Sequence, residues 1–487
     1  MTRLLTTLFL VTYGLSTLAQ DYHQWSEHFG TRASLLGGAA TSGLGDNATV
    51  YYNAAAMAFV ENPHLSITVN AYKIRMAKIA NALGDGLDVK ETQVATFPSL
   101  IAGIVTPKKK NRFKFGYSIN TKTAYSSKYD YLHQENYDIL DSLVGPENYV
   151  ASYSYNHSIS EYWAGIGVSY QITNAIAIGL AHYGVFRDVK YSNFIEMSAL
   201  PMDPSTGDIA NVNSAIDFKY WTVKGVFKPS IAFSWPKSKL GITYTLPSFN
   251  ILGKANVYRQ FSIINLDENL ATDITFVDRR VKQKAQHKTF GSLAIGVSKK
   301  QGTKSWLHFT NELFFGSPYY LLFNPNNPVN TYPNYINDSM TLEVFGNQNF
   351  LAYGERYLPM VNFGIGFERQ INSKTEILIG ARTDFNYNAQ PYYIFQHLTI
   401  EASKWNLYHF SLGVSKLTKK NKMLTAGLEY TMTPHRKFHQ FVNFTEPSSA
   451  SLLVGDRHPV AYSVQHGFKI IIGIEIGEKK EDTTVSP

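Results

Sequence analysis
The sequence predicts an all-β fold, a transmembrane antiparallel β-barrel of about fourteen strands. Three observations carry that expectation: an export leader with no membrane-spanning helix behind it, apolar residues at period two, and connections that alternate short and long. Composition agrees. Of 487 residues, 17% are charged and 14% aromatic, the opposite of a chain too polar to bury a core. There is no cysteine, which excludes a disulfide scaffold, a thiolate zinc site and a cysteine nucleophile.

The leader comes first. Arg3 supplies a positive start, residues 4–15 (LLTTLFLVTYGL) an apolar stretch, and Thr17 and Ala19 the small residues of a cleavage site after Ala19. Residues 1–19 read as a secretory signal peptide, whose apolar part is too short to span a bilayer of ~30 Å as a helix. No later apolar run is long enough for a transmembrane helix. An exported chain of that kind is either soluble outside the cytoplasm or a closed barrel in an outer membrane.

The strands are read from their period. Phe113, Phe115, Tyr117 and Ile119 alternate with Lys114, Gly116, Ser118 and Asn120. The pattern recurs at 162–170, 176–180, 231–235, 240–246, 293–297, 361–367, 377–381, 408–414, 424–430 and 468–476. Alternate positions are mostly Gly, Ser, Thr, Asn or charged, as expected of a wall with lipid outside and a wet or small-residue lumen inside. A soluble sandwich alternates too, so the connections decide.

Short connections fall at 107–112, 171–174, 236–239, 299–304, 370–374 and 416–422. Long ones fall at 73–96, 122–160, 188–217, 247–285, 316–357, 387–404 and 434–461. Six short turns and seven long loops join fourteen strands and leave both termini on the periplasmic side. Sixteen is the alternative, if 149–171 holds two strands and 253–265 extends a strand above the membrane. The barrel is expected over 64–476, with residues 20–63 before it and a polar periplasmic tail at 477–487.

That N-terminal segment carries a resemblance. Gly30, Arg32 and Ala33, then Gly37, Gly38 and Ala39, then Asp46 with Ala48 and Thr49, and finally Tyr52, Asn53 and Ala55 resemble the hatch, or plug, of the FadL/TodX-type outer-membrane transporters of long-chain fatty acids and other hydrophobic compounds. Ala54 stands where the family pattern has proline, so the turn lacks a residue that fixes φ. The physical logic agrees, because a fourteen-stranded barrel is too wide for wall side chains alone to fill. Without the resemblance, the glycine-rich stretch reads equally well as a flexible lead-in.

The resemblance implies passive uptake of a hydrophobic, fatty acid-like small molecule: capture by outer loops, passage through a hatch-gated lumen, and lateral exit through a gap in the wall. No cofactor, metal or catalytic residue is implied. Parity puts Lys114, Arg187, Glu312, Glu368, Arg382, Asp384, Glu429 and Lys469 on the lumenal face. Arg187 and Arg382 are the candidates for a ligand carboxylate, against the alternative that these charges pair with one another. Aromatic runs at 319–323 and 392–395 are either a greasy landing surface or packing residues.

Other functions find little support. His435 and His439 have the spacing of a metal pair on a helix, but Pro434 and basic surroundings favour a loop. No His-x-x-Asn-Gly-Arg-like segment suggests a barrel phospholipase. The rival reading is a PorV-like protein, similar to the family but non-transporting, that serves type 9 secretion as a partner of secreted proteins. The net charge of +8 does not point to nucleic acid. Fourteen positive residues, Lys108–Lys110, Arg112, Lys237, Lys239, Lys299, Lys300, Lys304, Lys374, Lys416, Lys419, Lys420 and Lys422, lie in the short turns, which contain no acid. The remainder is net negative, and the basic rim is expected to face anionic lipid headgroups or the cell wall. Outer-membrane lipid and lipopolysaccharide are the expected surroundings.

Overall fold
Period-two alternation becomes a closed wall in the computed structural model, which describes residues 23–477 apart from 62–63, 108–111, 142, 204, 206, 267–272, 326–348, 387–404, 419–421 and 436. The signal peptide, the tail beyond 477, Lys108–Lys110, Lys419, Lys420 and the 392–395 aromatics lie outside the described residues.

Six long strands open the wall: β1 (His64–Ala80), β2 (Val89–Val105), β3 (Phe113–Tyr137), β4 (Glu147–Gln171), β5 (Ile176–Pro201) and β6 (Ala210–Trp235). The seventh stave is broken into β7 (Ser238–Thr245) and β8 (Phe249–Ile264), and the eighth into β9 (Ile274–Lys284) and β10 (Ser292–Gln301). β11 (Ser305–Phe314) follows, then a separate hairpin of β12 (Ser317–Phe323) and β13 (Tyr353–Tyr357). β14 (Met360–Asn372), β15 (Thr375–Asp384), β16 (Leu407–Leu417), β17 (Lys422–Met432), the two-residue β18 (Lys437–Phe438) and β19 (Ala461–Gly477) complete it. β19 pairs with β1 along its length, so fourteen antiparallel staves close on themselves. Closure satisfies the backbone without a free edge, the condition for strands in lipid.

The apolar belt faces outward. Ile166 is 67% exposed and Leu412 56%, acceptable because the surrounding medium is hydrocarbon. Trp221 and Trp235 bracket the outward face of β6, with Phe227 and Ile231 between them, an aromatic girdle at each edge.

Strands extend well beyond the expected boundaries, and the reason is a polarity inversion. On β4 the outward side reads Tyr162, Ala164, Ile166, Val168 and Tyr170 in the belt, but Ser152, Ser154, Asn156, Ser158 and Ser160 above it. The inward side changes in the opposite sense, from Gly165, Gly167 and Ser169 to Tyr149, Tyr153, Tyr155 and Ile159. Above the membrane the wall obeys the rule for soluble sheets, with a polar outside and an apolar core. That core joins the inward faces of β4, β5, β6 and β8 to Phe323, Phe350, Phe441 and Leu453 from the loops. Much of the expected loop sequence at 122–160, 188–217 and 247–285 is therefore strand, and the breaks at 246–248 and 285–291 mark where two staves leave the membrane.

Candidate functional site
The lumen is filled from the short-turn end by residues 23–61. Helix α1 (Thr31–Leu35), helix α2 (Thr49–Tyr52) and a 3₁₀ turn (Ala54–Phe59) give this plug what regular structure it has. Leu35, Leu36, Val50, Ala55 and Met57 are fully buried, so the segment packs as a core rather than trailing as a linker.

Some motif residues join plug to wall, and others hold the plug's own turns. Arg32 donates to Glu368 at 2.5 Å and to Glu376 at 2.6 Å, tying α1 to β14 and β15. Gly37 and Gly38 have φ of 62° and 74°, a region open to glycine. A Cβ on Gly37 would overlap the backbone of Ala381, and one on Gly38 the ring of His28. Asp46 accepts from the Ala48 amide at 3.1 Å. The Tyr52 hydroxyl accepts from the Phe29 amide at 2.8 Å and lies 3.0 Å from His28 Nδ1. Asn53 donates to Thr41 O and Ile231 O, and its Oδ1 accepts from the Ala56 amide. Ala54 and Ala55 lie so close to the wall that a Cβ on Gly179 would overlap their backbone, and the Ala55 amide donates to Ser230 Oγ at 3.0 Å.

Charge fills the middle of the lumen. Glu27 of the plug bridges Lys73 (2.5 Å) and Lys469 (3.0 Å), and Lys469 reaches Glu429 at 3.0 Å. Arg382 donates to Glu429 at 2.6 and 3.0 Å and to Trp25 O at 3.0 Å. Asp384 accepts from the Trp25 amide and Ser26 Oγ, and Glu312 from Trp25 Nε1. A second cluster joins Arg187 to Glu161 at 3.1 Å and to the Tyr220 hydroxyl, with Lys224 near Glu161, His287 and Thr289. Burying such charges is tolerable because Glu27, Glu161 and Glu429 meet cations, while Asp384 and Glu312 accept hydrogen bonds.

Two clefts remain. The first, with about 890 Å³ of empty space, is lined by Glu27, Lys73, His409, Glu429 and Trp405, and also by Gln93 and Ala95 of β2 and Ala124 and Tyr125 of β3. The second, about 780 Å³, is lined by Tyr51, Lys122, Trp163, Arg187, Phe290 and Phe315. His23 borders both.

The first cleft reaches a seam. β2 pairs with β3 over residues 100–105 against 115–120, whereas above that level β2 continues against β1 and β3 against β4. A bulge between Thr121 and Thr123 turns β3 away at this point. Higher up, Arg75 donates to Ser126 O, and Glu91 accepts from Ser127 Oγ at 2.8 Å and the Lys128 amide at 3.1 Å. Backbone pairing holds the seam below and side chains cross it above, Thr121 Oγ1 donating to Pro98 O at 2.7 Å.

The eight lumenal charges expected from parity all point inward or to the plug; Lys114, for instance, donates to Val60 O. Arg187 lines the second cleft, while Arg382 lines neither of the two. Sequence reasoning missed two lysines. Lys122 donates to Gln24 O at 2.7 Å and Lys228 to Tyr51 O at 2.7 Å, and neither has a carboxylate within ion-pair distance among the described residues. Lys122 was hidden by the bulge, which breaks the period there. Of the 319–323 run, Tyr320, Leu322 and Phe323 are buried, so those three pack instead of forming a landing surface. β18 separates His435 from His439, so no helix carries that pair.

The fold and its contents define a class: a fourteen-stranded transmembrane β-barrel with its N-terminal segment packed inside. Solved structures similar to this chain include a FadL homologue and toluene transporters. A Pseudomonas aeruginosa FadL homologue matches with a TM-score of 0.56 at 11% identity, covering 93% of this chain and 99% of the other. The P. putida toluene transporter TodX gives 0.58 at 11%, covering 93% and 100%. The Ralstonia pickettii toluene transporter TbuX gives 0.52 at 12%, covering 93% and 99%. At such identities the likeness is one of fold. TodX and TbuX are toluene transporters. No protein-family model and no curated protein sequence matches the chain.

Proposed function
We propose that the protein is an outer-membrane channel for passive passage of a hydrophobic small molecule with a polar head, of the fatty acid type, its short-turn end and both termini facing the periplasm. The observation that carries this reading is the seam between β2 and β3, where pairing stops above 100–105 against 115–120 and both strands line the first cleft. Interrupting a ladder near lipid is costly, and a route for an amphipathic molecule accounts for the interruption. Lys122 and Arg187 face the second cleft together with Tyr51, Trp163 and Phe315; they receive the head group while the rings take the tail. The plug closes the periplasmic end until it shifts. Titration calorimetry with oleate tests this: wild-type protein binds, K122Q/R187Q binds at least tenfold more weakly, and an absence of binding by wild type refutes it.

A second reading has its own observation. The apolar core above the membrane fills the long-loop mouth and holds β3–β6 as a tall polar sheet, a surface suited to a secreted partner protein in the PorV-like role. Undetectable oleate binding together with co-purification of a secreted protein would favour it.

A further inference from the structure
Along one arc of the wall the outward surface carries cations where the apolar belt meets the short turns. On β10, β14, β16 and β17 the lipid-facing run ends, toward the short turns, on a cation in the same outward register. Val297 is followed by Lys299, Phe367 by Arg369, Val414 by Lys416, and Leu424 is preceded by Lys422. Their cross-strand neighbours are neutral: Lys299 lies opposite Leu307 and Ser238, Arg369 opposite Ser305 and Ile377, Lys416 opposite Thr375 and Leu424. The acids at this level, Glu368 and Glu376, are turned to Arg32. At the far end of the same strands the outward positions are uncharged, as at Tyr408 and Tyr430. Across the barrel the short-turn end finishes on Tyr170 and Trp235 instead.

We propose that this arc is a binding site for anionic phospholipid headgroups, phosphatidylglycerol or cardiolipin, in the leaflet at the short-turn end. A cation in register with lipid-facing residues stands among headgroups, where its alkyl stem lies along the acyl chains and its charge meets phosphate. Arg369 takes a phosphate through paired N–H groups. A cell-wall polymer would meet the turn tips, whereas these four side chains project from the wall itself. The arc rests on the reading that places short turns in the periplasm, and lipid A phosphates of the other leaflet are the alternative source of the same chemistry.

Native mass spectrometry of the full barrel, released from bilayers of phosphatidylethanolamine, phosphatidylglycerol, cardiolipin and lipid A, tests it. Wild type is expected to retain phosphatidylglycerol and cardiolipin several-fold above their bulk share. K299Q/R369Q/K416Q/K422Q falls to the bulk ratio, and the charge-keeping K299R/R369K/K416R/K422R retains the enrichment. Heat-modifiable gel migration verifies that each variant is a folded barrel; should the quadruple fail to fold, K299Q/K416Q is expected to lose about half the enrichment. Equal retention by wild type and folded neutral variants overturns the site. Selective retention of lipid A overturns it by placing the arc in the opposite leaflet, a result independent of whether oleate binds.

Discussion
Arg382 on β15 and Glu429 on β17 meet in two parallel hydrogen bonds of 2.6 and 3.0 Å, both side chains essentially excluded from solvent. β16 lies between their strands, so the pair spans three staves, and through Trp25 O it also holds the plug. Removing one partner strands a buried charge, at about 3–5 kcal/mol, whereas replacing both with apolar residues avoids most of that loss. R382A is therefore expected to lower the urea midpoint of refolded barrel much more than R382M/E429L does.

Ala54 invites proline. It is the first residue of a 3₁₀ turn behind Asn53, whose φ of -159° and ψ of 95° are extended. A residue in that position has φ near that of proline, and an extended predecessor is what proline prefers. A54P should stabilise the plug by roughly 0.5–1 kcal/mol, by restricting the unfolded chain. Hydrogen exchange of the 54–59 amides checks this, slowing in the variant.

Gly37 is the converse. With φ of 62° and the Ala381 backbone against it, G37V forces the plug off the wall and adds about 1–2 kcal/mol of backbone strain. Planar-bilayer recordings are expected to show ion conductance in G37V and little in wild type.

His458 Nε2 donates to Glu446 Oε2 at 3.0 Å among the loops, both half exposed. The hydrogen bond to this carboxylate raises the imidazole above its ordinary value. A raised folded-state pKa means that the contact stabilises the loop fully below the unfolded value and fades as pH rises through the folded one. Histidine NMR should give His458 a midpoint above that of a free imidazole, and E446Q should return it to the ordinary range.

The belt was legible because lipid enforces one pattern, apolar outward and small or polar inward, and Phe113–Ile119 or Tyr408–Val414 display it plainly. The upper wall was not, because Ser152–Ser160 on β4 keep the period while exchanging the faces, which reads as loop to an eye following apolar residues. The plug was legible through the family-like arrangement of Gly37, Gly38, Tyr52 and Asn53 more than through any period, since its contacts are close backbone approaches and isolated hydrogen bonds. Lumenal parity placed Arg187 and Arg382 inside but carried no information on partners, because Glu161 and Glu429 come from other staves. Lys122 escaped since a bulge is invisible to period counting.

The seam between β2 and β3 is the centre of the account, and filling it is the direct test. Ala95 and Ala124 line the cleft from its two sides, so A95W/A124W should block it while leaving the paired 100–105 and 115–120 segments untouched. Oleate uptake by proteoliposomes is expected to fall at least tenfold in the folded variant; uptake equal to wild type would contradict passage through this seam.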